Sequence, residues 1–184
     1  TVDGTVSSLE QAESLIALST NNMGNVLLKS EVGVLQADAD TLVPLLKNNI
    51  SVFDGLLPTV EVSDSTLSVE DALILGGARA DLSQKSIANG QAADINEAIQ
   101  LASFDEFNIA GLQIERGEEL KSSSKENIFF LRDRGVLFDS NGGDQGLFRI
   151  DETKINPIEA IDLNSLGAVF NSQVVLIEGL DPSS

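Results

Sequence analysis

Helix-start signals recur along this chain with one local grammar. Ser8-Leu9-Glu10-Gln11-Ala12 opens an apolar-periodic stretch through Leu15, Ile16 and Leu18. Ser68-Val69-Glu70-Asp71-Ala72 does the same before Leu73, Ile74 and Leu75. Asp94-Ile95-Asn96-Glu97-Ala98 precedes Ile99 and Leu101. In each, a cap-forming side chain stands three residues before an acidic or amide one, the capping-box spacing. Asn156-Pro157-Ile158-Glu159-Ala160 marks a further start, with Pro at the first helical position. Another helix is expected from about Gln36 to Leu46, with apolar positions at Ala39, Leu42, Val43 and Leu46.

Short strand-like segments lie between these helices: Asn25 to Leu28, Ile50 to Phe53, Thr59 to Val62 and Asn108 to Ile114. The first four helix signals begin near 8, 36, 68 and 94, one α–β unit every ~26–32 residues, a spacing found in repeat architectures. Two arrangements fit: stacked repeats, or an α/β domain whose helices share cap chemistry. A leucine-rich repeat does not fit, because no unit carries alternating leucines with Asn.

The pattern changes after residue 117. The stretch through Glu118-Glu119, Lys121-Ser122-Ser123-Ser124-Lys125 and Glu126 is polar and serine-rich and is expected to be exposed. Asn127-Ile128-Phe129-Phe130-Leu131 reads as a strand. Gly135 to Asp139 and Gly146 to Ile150 read as arms of a hairpin around Ser140 to Gln145. A helix from about Pro157 to Leu163 and a strand from Gln173 to Ile177 complete the reading. The expected fold class is mixed α/β (α+β). An acidic α–β region spans 1–118, a linker or exposed loop 119–127, and a β-rich C-terminal domain 128–184.

Composition narrows the chemistry. The 184 residues include no His, Cys, Trp or Tyr. General acid/base and nucleophilic catalysis rely heavily on His, Cys and Tyr, and transition-metal sites on His and Cys. What remains is carboxylate, amide, hydroxyl and backbone oxygen, which suit hard cations such as calcium. Twenty-nine acidic side chains against 11 basic ones give a formal charge of −18 and a pI near 4.1. Such a surface repels nucleic acid and attracts divalent cations. The 42% hydrophobic content supplies a core, which must be aliphatic because eight Phe are the only aromatics. There is no disulfide framework and no apolar run of ~18 residues to span a membrane. Thr1 opens the chain with no visible signal peptide; a processed end and a fragment of a longer chain both fit.

The loop Asp139-Ser140-Asn141-Gly142-Gly143-Asp144 is the best candidate site. Asp139, Asn141 and Asp144 offer oxygens around a tight turn, and the glycines let backbone carbonyls join them. It is not an EF-hand. The required sixth-position Gly is Asp144, and the twelfth-position Glu is Ile150. A turn of residues that favour positive φ is the plainer alternative. Carboxylate pairs drawn from Asp105-Glu106 and Asp133 resemble a glycosidase dyad only in composition, since a sugar site also stacks on Trp or Tyr. Glu118-Glu119 and Asp151-Glu152 read as solvated surface. Gly76-Gly77-Ala78 lacks the Lys of a phosphate loop and reads as a helix end.

The stretch Val136 to Gly146 resembles a segment near the end of hemolysin-type, RTX-like secreted bacterial proteins. There, a hydrophobic strand runs into an Asp/Asn/Gly loop, a second strand, a short helix and a terminal hydrophobic strand. The later parts correspond here to Leu147 to Ile150, Pro157 to Leu166, and Val174 to Ile177. The resemblance implies type I secretion through an uncleaved C-terminal signal, and calcium ligation by Asp139, Asn141 and Asp144. From Ile155 to Ser184 there is no Lys or Arg. The family's nine-residue glycine–aspartate repeats are absent, so its calcium β-roll does not carry over.

The expectation is thus a non-catalytic, extracellular or cell-surface structural protein. It would self-associate into a homo-oligomer or polymer, with calcium as the candidate cofactor and no nucleic-acid partner. The alternatives are the secretion region of a larger enzyme, or a module binding a cell-surface glycan or a protein.

Overall fold

A computed structural model describes residues 2–18, 23–138, 146–170 and 175–176. Among the described residues, six helices start on side-chain caps. They are α1 Leu9–Leu18, α2 Ala39–Lys47, α3 Val69–Gly77, α4 Ile95–Ala102, α5 Lys125–Asp133 and α6 Pro157–Ser165. Asp38, Ser68, Asp94, Ser124 and Asn156 each accept a bond from a backbone N–H in the first turn. Ser8 Oγ does the same for Gln11 N at 3.2 Å. These bonds satisfy amides that a helix leaves unpaired.

Seven residues after every cap stands a leucine: Leu15, Leu45, Leu75, Leu101, Leu131 and Leu163. Four residues after it stands Ala12, Leu42, Ala72, Ala98, Ile128 or Ala160. The two positions lie one turn apart on one helix face, and that face is the core side. The last five of those leucines are at most 1% exposed. Helix exits repeat as well. Eleven residues after the cap, Asn49, Arg79, Gly135 and Gly167 adopt positive φ. The next residue, Ile50, Ala80, Val136 or Ala168, returns to the core. Ala80 N and Val136 N reach back to Leu75 O and Leu131 O at 3.0 and 3.1 Å, the backbone closure of a left-handed helix end. α4 leaves differently, with positive φ delayed to Glu106.

The chain divides into two compact units. The first comprises 1–88 with 104–108, and the second 89–103 with 109–184. Unit 1 holds three parallel ladders. β1 Val2–Val6, β2 Met23–Leu28 and β4 Ile50–Ser51 form one. β3 Leu35–Ala37 and β5 Val60–Val62 form the second, extended by a bridge from Glu61 to Asp81. β6 Thr66–Leu67 and β7 Ser86–Ile87 form the third, extended by a bridge from Ser86 to Asn108. Unit 2 repeats the scheme. β8 Gln91–Ala92, β9 Gln113–Ile114 and β11 Leu137–Phe138 form one ladder. β10 Ser122–Ser123, β12 Phe148–Ile150 and β14 Ala168–Phe170 form another. β13 Lys154–Ile155 pairs with β15 Val175–Leu176.

Each ladder starts on the strand just before a helix and continues on a strand after it, so each neighbouring pair is a βαβ crossover, the connection parallel pairing requires. Stacked partners lie 20–27 residues apart, from Thr66↔Ser86 to Ser122↔Arg149. Helices recur less often, their caps standing 26–32 residues apart in sequence. Val60, Val62, Ile114 and Phe148 sit inside these strands and are wholly buried. The cores are mainly aliphatic, with Phe107 and Phe148 as the largest fully buried side chains.

Three expectations change. Asn127 to Leu131 is not a strand but the body of α5, because Ser124 caps a helix whose inward residues are Ile128 and Leu131. The expected linker 119–127 contains β10 and the first turn of α5, and lies inside unit 2. β11 and β12 are not hairpin arms: β11 pairs with β9 and β12 with β10 and β14, all parallel. The C-terminal region therefore continues the βα pattern, with two helices among its described residues. The mixed α/β class stands, and Gly76-Gly77-Ala78 closes α3 as expected.

Candidate functional site

The calcium candidates Asp139, Asn141 and Asp144 lie outside the described residues. Their flanks are described. β11 and β12 enter different ladders, and the Phe138 and Phe148 rings meet edge to face at 5.8 Å. Among the described residues, no group of three or more acidic side chains converges on a cation position. Asp133 closes α5 against Arg132 at 3.0 Å. Asp105 and Glu106 are exposed in the turn after α4.

What the structure does build repeatedly from oxygen is a set of contacts between successive coils. Asp64 Oδ2 accepts from Ala39 N at 2.6 Å, and Glu152 Oε1 accepts from Lys125 N at 2.7 Å. Both carboxylates stand two residues before the strand that leads into the next helix. Both satisfy the first amide of the preceding helix, α2 or α5, where the helix dipole also favours negative charge. Lys125 Nζ pairs with Glu159 Oε2 at 2.8 Å, and that bond raises the lysine's pKa. The second oxygen of Glu152 is buried without a hydrogen-bond partner. In unit 1, Lys29 pairs with Asp54 at 2.9 Å, Lys47 with Glu70 at 3.4 Å and Lys85 with Glu61 at 3.6 Å. Asp151-Glu152, read as plain surface, thus includes a residue that joins two coils. The signal for it was positional, and it becomes visible only once Ser124 is known to be a cap.

Two predictions arise from these contacts. Asp64→Ala should lower stability by about 1 kcal/mol, the usual size of a lost cap. Asp64→Asn, which keeps an acceptor, should lose less. Urea unfolding of the three chains measures both, and equal stability of wild type and Asp64→Ala would contradict the assignment. The second concerns pH. Bonds from Leu57 N, then from Lys29 and Leu56 N, hold the Asp54 carboxyl far below its usual range. A depressed carboxylate stabilises the fold above its unfolded pKa and loses that contribution as pH falls through its folded one. Asp54→Asn should therefore match wild type in the slope of stability against pH above about 5 and show a shallower acid loss below about 4. Parallel acid-unfolding curves would show that Asp54 does not contribute.

A groove in unit 1 is lined by Val6, Glu10, Gln11, Ser14, Leu15 and Leu18, with a volume of about 400 Å³. It is open, and its lining includes Leu15, the leucine position that later coils bury. No helix among the described residues is long and apolar enough to cross a membrane.

Fold and contacts define a class: a chain of capped βα coils stacked through parallel ladders within each unit. No protein-family model, curated protein or solved structure matches the chain.

Proposed function

We propose that this chain is a non-catalytic structural protein of the extracellular space or cell surface. It is secreted by the type I route and built into a surface layer, sheath, filament or adhesive structure. The observation that carries this reading is the recurrence of one coil, with a side-chain cap and a leucine seven residues after it, from Ser8 to Gly167. Repeats of this kind gain stability from nearest-neighbour contacts and present extended surface, which suits a building element. The excess of 18 negative charges supports a role for calcium. Calcium held by Asp139, Asn141 and Asp144, or bridging carboxylates of adjacent copies, offsets repulsion that would otherwise oppose assembly.

Light scattering and negative-stain microscopy of the purified chain, in chelator and in millimolar calcium, test the reading. Calcium should raise both the particle mass and the melting temperature. Asp139→Asn with Asp144→Asn should weaken calcium binding at least tenfold by calorimetry. A monodisperse monomer in both conditions, or turnover of a substrate abolished by one carboxylate-to-amide change, would overturn it.

A further inference from the structure

The two units follow one three-coil plan, register for register. Thr5, Leu27 and Ser51 are ladder partners in unit 1, and Gln91, Gln113 and Leu137 in unit 2. Each of the second set stands 86 residues after its counterpart. Further on, Gln36↔Glu61 recurs as Ser122↔Arg149, with the first partner shifted by 86 residues and the second by 88. Unit 2 therefore carries two extra residues between Leu137 and Arg149, opposite segment 52–60 of unit 1. In repeat proteins such length differences fall in the loops of one face, often the face that binds.

The unit 1 loop at this place is braced from within and apolar at its tip. Phe53 and Pro58 bridge its base. Asp54 Oδ1 accepts from Leu56 N at 3.0 Å and from Leu57 N at 2.9 Å. Leu56 is nevertheless 85% exposed and Leu57 68%. The segment 29–34 is tied to this loop by the Lys29–Asp54 pair at 2.9 Å and by the bond from Leu35 N to Thr59 O at 3.0 Å. It exposes Val32 at 97%. The fold does not require these three aliphatic side chains. The unit 2 counterpart of Val32 is Glu118, and that of the loop is the polar run from Asp139 to Gln145.

We propose that Val32, Leu56 and Leu57 form an aliphatic tip that inserts into a zwitterionic lipid surface. This goes beyond the structural reading and does not rest on it. Clustered exposed aliphatics mark contact with a protein or a membrane, and two observations favour the membrane. The side chains project from loops rather than line a groove, so a rigid partner would need a cavity cut to match, whereas a fluid interface needs none. Charge decides the lipid. The chain's 18 excess negative charges oppose a second copy of itself and an anionic bilayer, but not a neutral headgroup layer. At the tip, Lys29 and Asp54 neutralise each other, and Glu31 is the one further charge on segments 29–34 and 53–58. The bonds from Asp54 hold the leucines outward before contact, which reduces the ordering cost of insertion. Three such side chains give reversible attachment, as shallow insertion of limited apolar area does.

Flotation of the full chain with phosphatidylcholine vesicles tests the assignment. Wild type should float with the vesicles. Leu56→Ser with Leu57→Ser should partition at least about tenfold more weakly, given the apolar area removed. A control removes two exposed aliphatics elsewhere, Ile158→Ser with Ile161→Ser, and should float like wild type. All four sites are exposed, so folding should be retained, and circular dichroism checks this. Replacing part of the phosphatidylcholine by phosphatidylglycerol should weaken wild-type flotation at low salt, and added salt should restore it. A wild-type chain that stays with the aqueous phase, a loop variant that floats as well as wild type, or a control that loses as much as the loop variant would overturn the assignment. So would a dimer in sedimentation velocity that the loop variant alone abolishes, since the tip would then belong to a second copy. None of these outcomes bears on the structural reading, which the calcium and microscopy measurements decide.

Discussion

Replacing Leu131 by alanine should destabilise the chain by about 2–5 kcal/mol, and the same change at Leu15 by less than about 1 kcal/mol. Both leucines stand seven residues after a serine cap, on helices of similar length. They differ in surroundings. Leu131 is 0% exposed between α5 and its ladders, so removing three carbons leaves a cavity as well as a lost transfer term. Leu15 is half-buried at an open groove, where solvent fills the space. Leu75→Ala and Leu101→Ala, also 0% exposed, should behave like Leu131→Ala. Urea unfolding of the four variants measures this. Equal costs at Leu15 and Leu131 would mean that the six helices do not share one frame.

Gly167→Val should cost about 2–4 kcal/mol, against about 1–2 kcal/mol for Gly55→Val. Both glycines adopt positive φ, +91° and +96°, where a β-branched side chain is strained. Around Gly55 there is open space. At Gly167 an added Cβ would lie 3.0 Å from Leu147 Cγ and 3.1 Å from its Cδ1. Gly167 O also accepts from Leu147 N at 2.7 Å, so the backbone there cannot retreat without breaking that contact. The difference between the two variants isolates packing at the helix exit from backbone strain alone. Thermal melts that rank Gly55→Val as the worse variant would show that the α6 exit is not packed as described.

Legibility in the sequence followed the range of the interaction. Ser68, Asp94 and Asn156 were readable as helix starts because a cap bond spans three residues and needs nothing distant. Ser124 makes the same bond, yet it stood in a run of three serines before Ile128-Phe129-Phe130-Leu131. A short apolar run with aromatic and β-branched residues fits a strand as well as a helix, and the strand reading was wrong. The expected α2 start at Gln36 is three residues early, because Gln36 and Ala37 belong to β3 and Asp38 is the cap. The hairpin reading failed for a related reason. Turn-forming residues between two apolar segments predict a local return, whereas β11 and β12 take partners 20–27 residues away in sequence. The coil-linking carboxylates Asp64 and Glu152 carried no local signal, since each acts on a helix that begins more than twenty residues earlier.

The amino-acid sequence alone determined where most helices begin, that the cores must be aliphatic, and that the surface carries strong negative charge. These properties depend on bonds within one helical turn or on composition. The tertiary structure decided which two- and three-residue segments became strands, that they pair in parallel, and that α5 continues the repeat. A strand that short has too few residues to specify itself; its conformation is stabilised only when a crossover brings a partner ladder alongside.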